Sequence, residues 1–170
     1  MKQITNYISE TERILSIDDY IQEAFKVGSK TKISTDTYHP KGQKELMEII
    51  GNRIKEEKDN IDFNDIDTSH ITIMEGVFAY QSDITKIDIS SWDVSNVTSM
   101  MEMFIGCKKL ESIGDISKWE INKLVDITGM FYGCSKLTNT GDLNKWDVSG
   151  ITKKQNAFSQ ANEYIIPKWA

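Results

Sequence analysis

The chain is poor in the residues from which staples and small chemical sites are built. Its 170 residues include two Pro, two Cys and two His. Two cysteines make no disulfide framework. His39 and His70 have no Cys at ligand spacing, whereas a zinc site needs about four convergent ligands. There is no Gly-rich phosphate loop and no Ser/His/Asp set, so neither catalytic residues, metal nor cofactor is expected. Apolar runs are all far shorter than the roughly 18 residues of a membrane span, so no span is expected. The start, MKQITNYISETERILSIDDY, has no apolar h-region. A Sec signal is therefore not expected, which favours the cytoplasm or a phage virion over classical secretion. Basic charge is also scarce: 20 Lys and Arg face 26 acids, a net charge of −6. With no basic stripe, nucleic acid is excluded as the expected partner.

What remains is an ordinary globular balance, 39% hydrophobic and 27% charged, on a chain long enough to bury a core. The dominant feature is a repeat. Trp92, Trp119 and Trp146 are spaced by 27 residues, as are Phe104, Phe131 and Phe158, and Cys107 stands 27 before Cys134. Ile89, Ile116 and Leu143 share this register, as do Val97, Leu124 and Ile151, Met103 and Met130, and Leu110 and Leu137. So many columns at one period do not arise by chance. A degenerate copy runs from Ile66 to Phe78, and Trp169 closes a truncated one. One unit cannot bury its own apolar face, so the copies must stack, with atypical units at the ends.

Within a unit, Val97-Thr98 and Leu110–Ile116 suit brief parallel strands. Ser99-Met100-Met101-Glu102 has the spacing of a capping box, which predicts a short helix through Met103 and Phe104. Gly106 and Gly133 would end such helices in the left-handed region. The fold expected is an α+β repeat solenoid, with short parallel strands and short helices stacked in the manner of leucine-rich repeats. Residues 36–63 supply a capping helix and an entry strand ahead of the array at 64–170. The helix is predicted over residues 40–58, with Leu46, Ile49, Ile50 and Ile54 on one face and Pro40 at its start.

Three columns have a chemical as well as a structural reading. Asp93, Glu120 and Asp147 form an acidic ladder that either binds a basic ligand or cation or stabilises turns through Asx bonds. Trp92, Trp119 and Trp146 either line a carbohydrate- or peptide-binding face or act as core pillars. Cys107 and Cys134 read as small buried hydrophobes rather than as a disulfide or metal pair. Asp59, Asp62, Asp65 and Asp67 alternate with Ile61, Phe63 and Ile66, as in a half-buried edge strand.

DISSWDVSNVTSMMEMFIGCKKLESI and DISKWEINKLVDITGMFYGCSKLTNT resemble the BspA-like leucine-rich repeats of bacterial surface and phage-borne proteins, and the resemblance covers residues 64–170. His39-Pro40, the following helix and Asn64–Ser69 look like the entry module that precedes such arrays. The resemblance implies a right-handed β-solenoid-like stack, no catalytic residues, and a role in adhesion or protein recognition with a protein partner. Lys153–Ala157 departs from the pattern where the other copies carry a Met-rich segment.

Residues 1–35 stand apart. Ile4, Ile8, Leu15, Ile21 and Phe25 make a weaker helical pattern over 1–27, ended by Gly28–Lys32. Ile21-Gln22-Glu23-Ala24 resembles the processing site of capsid-targeting peptides in internal head proteins of tailed phages, with cleavage implied between Glu23 and Ala24. On that resemblance the alternative function is a virion or internal capsid protein.

Overall fold

A computed structural model describes residues 37–170, and the chain divides between Thr35 and Asp36. The helical pattern expected over 1–27 and the processing site at Glu23 and Ala24 lie outside the described residues.

Helix α1 spans Gln43–Glu57. Its start falls later than predicted: Pro40 is buried ahead of the helix, and Gly42 takes the cap position. Glu45 reaches back to accept the Lys41 N–H at 2.9 Å, a capping-box bond displaced by one residue. Leu46 and Ile50 are buried, and Ile49 and Ile54 pack against the same core. Lys58, at φ 68°, ends the helix by donating its N–H to Ile54 O. Arg53 ties α1 to the chain beyond it. It bonds Glu57 and Asp65, donates to Asp62 O at 2.7 Å, and lies 4.9 Å from the Phe63 ring centroid.

After α1, parallel pairings step through the sequence at one repeat period. Strand β1, Ile61–Asp62, pairs with β2, Ile87–Asp88, in the register Ile61 to Ile87. The same line continues through Lys86 with Ser112 and Ser112 with Asn139. A second line joins Ile73, Ser99, Asp126 and Lys153. Tyr38 adds a rung ahead of the first copy by pairing with Ile66. The strands are therefore shorter than the apolar alternation suggests, down to single bridges, because each copy must turn back on itself within 27 residues.

The short helix predicted from Ser99 to Phe104 does not form. Glu102 has φ 56°, outside the helical region. Alternate amides, Met100, Glu102, Phe104 and Gly106, donate instead to Asp126, Thr128, Met130 and Tyr132 of the next copy, at 2.8–2.9 Å. The amides between them close tight local turns, Met103 to Met100 O and Ile105 to Glu102 O. Carbonyls in the next copy thus take the N–H groups that an α-helix would spend internally. Two left-handed residues in this stretch of each copy make this possible: Glu102 and Gly106 here, Gly129 and Gly133 in the next. The capping-box motif was misleading, but the left-handed reading of Gly106 and Gly133 holds.

The core is a set of columns. The rings of Phe78, Phe104, Phe131 and Phe158 stack at centroid distances of 5.3–5.4 Å. Trp119, Trp146 and Trp169 form a second stack at 6.3 and 6.4 Å. Trp169 occupies the tryptophan register although it lies only 23 residues after Trp146.

Candidate functional site

The acidic ladder is built from turns. Asp67, Asp93 and Asp147 each accept the backbone N–H two residues on, from Ser69, Ser95 and Ser149, at 2.9–3.0 Å. Glu120 stands exposed at the same register. A second ladder does the same work: Asp62, Asp88, Asp115 and Asp142 accept from Asn64, Ser90, Ser117 and Asn144 at 2.9–3.1 Å. Bonds from Ser95 and Ser149 hold the Asp93 and Asp147 carboxyls below the usual carboxylate range. These aspartates are turn formers. Among the described residues, no three His, Cys, Asp or Glu side chains converge on a point that could hold a metal ion.

The tryptophans face inward. Trp92, Trp119 and Trp146 are 3%, 6% and 4% exposed. The Trp92 indole donates to Phe63 O at 2.9 Å, Trp146 to Ile116 O at 3.0 Å, and Trp169 to Leu143 O at 3.0 Å. Trp119 Nε1 has no partner, and nothing in the structure explains the difference. The indoles are consequently unavailable as a stacking face. What that column shows to solvent is Ser91, Asp93, Lys118 and Glu120.

The cysteines are equally committed. Cys107 Sγ donates to Phe78 O at 3.0 Å and Cys134 Sγ to Phe104 O at 3.1 Å. Burial pushes the Cys107 thiol up to about 12 and raises Cys134 as well, so both stay protonated at neutral pH. A protonated, buried thiol is not a nucleophile.

One outward-facing strip has a different character. At the second left-handed position of successive copies stand Tyr80, Gly106, Gly133 and Gln160, with φ of 59°, 72°, 76° and 58°. Tyr80 is 70% exposed. A Cβ on Gly106 would lie 2.8 Å from Tyr80 Cδ1, so the glycine makes room for the ring. Tyr132 sits beside Gly133, and its hydroxyl accepts from Gln160 Nε2 at 2.6 Å. Together with Ile105 and Lys108 these residues line a shallow hollow of about 440 Å³. A bulky residue in the left-handed region costs about 1–3 kcal/mol, and strain of that kind concentrates at functional sites. Sequence reading missed this strip. The available signal was a tyrosine at a column that is glycine in the next two copies.

Residues 46–169 match the model of a family described as Mycoplasma protein of unknown function, DUF285, and the chain belongs to that family. No curated protein and no solved structure matches it. Among the described residues no helix is long and apolar enough to cross a membrane.

Proposed function

We propose that this chain is a non-enzymatic recognition or scaffolding module of the BspA-like leucine-rich repeat type, with a protein as its partner. In this reading the stepped parallel pairings and aromatic columns make a short solenoid, and helix α1 is its cap. The observation that carries the reading is the exposed Tyr80 strip. The left-handed Tyr80 leaves most of its ring open to solvent above a glycine floor, and tyrosine is enriched at protein interfaces because it buries much area through few rotors. The turn acids, thiols and indoles support the same reading, since each is engaged in holding one copy to the next or in shaping a turn.

With few copies the face is small, and modest affinity is expected unless several chains are presented together. The test is a photoreactive phenylalanine derivative in place of Tyr80, followed by titration of the captured protein in purified form. Saturable binding at one site per chain is the expected result. If no protein binds saturably, the chain is not a recognition module of this kind.

A further inference from the structure

We infer that the Tyr80–Gln160 strip takes a proline-rich segment in the polyproline II conformation; this rests on the recognition reading above. What the strip offers a ligand decides the ligand's class. Its main chain offers little. The amides of Tyr80, Gly106 and Gly133 donate to Ile105, Tyr132 and Ser159, and their carbonyls accept from Ser82, Lys108 and Ser135. An added β-strand needs a free edge of alternating donors and acceptors, and between Tyr80 and Gly133 none is left. Binding must therefore use side chains.

Those side chains are aromatic surface with more donors than acceptors, Lys108 supplying the surplus beside the Ser82 hydroxyl and the Gln160 amide oxygen. Tyr132 Oη already accepts from Gln160, so its own hydrogen is free to donate outward. Gln160 keeps a second amide hydrogen, Lys108 carries three, and Tyr80 adds a hydroxyl. The hollow's lining includes one cation and no carboxylate. A donor-rich, nearly neutral aromatic groove complements a ligand with carbonyls and no N–H groups. A proline-rich segment is that ligand: each proline removes a donor, leaves the carbonyl pointing outward, and presents a flat ring to the tyrosines. It is also ordered before binding, which suits a small face that can offset little entropy loss. A sugar ring fits less well: each hydroxyl brings a further donor, and the lining holds hydroxyl and amide oxygens but no carboxylate to accept it.

The test uses the full chain with 3-fluorotyrosine incorporated and followed by fluorine NMR. The probes are a synthetic nine-residue proline-rich peptide, a glycine-serine peptide of equal length, and a neutral maltohexaose. The expected result is saturable shifts of the Tyr80 and Tyr132 signals by the proline-rich peptide, at least tenfold tighter than by the glycine-serine control. Tyr80→Gly should weaken binding at least tenfold without lowering Tm, since glycine accepts the left-handed backbone. Tyr132→Phe, which keeps the ring and loses the donor, should weaken it several-fold. Equal shifts from both peptides, or shifts from maltohexaose alone, would overturn the proposal. If the peptides fail while the protein captured at position 80 still binds saturably, this inference falls and the recognition reading stands. If both fail, both fall.

Discussion

Interior copies and the entry end meet the same hydrogen-bonding demand with different atoms. Between copies, Thr85 O accepts the amides of Glu111 and Ser112, Glu111 O those of Thr138 and Asn139, and Val125 O those of Thr152 and Lys153. Each carbonyl thus holds two consecutive N–H groups of the following copy. At Thr85, among the described residues, a side chain takes that carbonyl's place. Asp59 stands at that register, and its carboxylate accepts Thr85 N at 2.8 Å, Lys86 N at 2.9 Å and Thr85 Oγ1 at 2.6 Å. Asn64 also presents its side-chain oxygen to Ser91 N at 2.7 Å, as Asn144 does to Lys168 N at 2.8 Å. A repeat can end without orphaned amides if side chains imitate the missing carbonyls. The imitation has a consequence the interior lacks: a carboxylate titrates and a carbonyl does not.

The interior is where removing one side chain costs most. Phe104 is fully buried and stacked between Phe78 and Phe131, at 5.3 and 5.4 Å. Phe104→Ala removes a ring that two copies share, and a loss of about 3–5 kcal/mol is expected. The denaturant midpoint measures it. A loss below about 1 kcal/mol would mean that the aromatic column does not hold the copies together.

Asp59→Ala tests the entry end. Three hydrogen bonds to a half-buried carboxylate vanish, and about 2 kcal/mol should go with them. The pH dependence separates this end from the interior. Burial pushes the Asp59 carboxyl up, but the bonds from Thr85 and Lys86 outweigh it and leave it at about 2. Bonds from Ser69 and His39 bring Asp67 to about 2 as well. Both folded values lie below the ordinary carboxylate value. Their stabilisation is therefore complete above about pH 4 and disappears as pH falls toward 2. Urea midpoints of wild type and Asp59→Ala should differ at pH 6 and converge near pH 2. A gap that stays constant across that range would refute the carboxylate's role.

Gly114 probes a third device, smaller again. It has φ 82°, and a Cβ there would lie 2.5 Å from Asp88 Oδ1, the carboxylate that forms the turn at Ser90. Gly114→Ala should cost about 1–2 kcal/mol, from the left-handed backbone and from displacement of that carboxylate. Gly51, inside α1 with nothing within 4 Å of a Cβ, is the control: alanine there should hold or raise the midpoint.

Much of this frame was legible in the residues. The tryptophan, phenylalanine and cysteine columns all lie in one buried core, because a side chain repeated at one period must meet its own counterpart in a stack. Helix α1 was visible in Leu46 and Ile50. What the residues hid was competition between local and inter-copy bonding. Ser99-x-x-Glu102 reads as a helix start only while the next copy's carbonyls are ignored. The tyrosine strip was hidden for a related reason. Tyr80 looks like an ordinary surface residue until alignment with Gly106 and Gly133 reveals its left-handed backbone. Asp59 likewise gains meaning only from its register with Thr85.

The finest distinction lies inside the tryptophan column itself. Trp146 donates its indole N–H to Ile116 O at 3.0 Å, while Trp119 Nε1 is buried without a partner. The two rings stack on each other at 6.3 Å, so they share much of their apolar environment. Replacing each with phenylalanine removes similar ring area but different polar consequences. Trp146→Phe gives up a buried hydrogen bond and strands the Ile116 carbonyl's second lone pair. Trp119→Phe relieves a donor that has nothing to bond. Trp146→Phe should therefore be the more destabilising of the two by about 1 kcal/mol. Paired thermal or urea unfolding of the two variants measures the difference directly. Equal losses would mean that Trp119 finds an acceptor in solution, for which Ile89 O, one repeat before Ile116, is the atom in register.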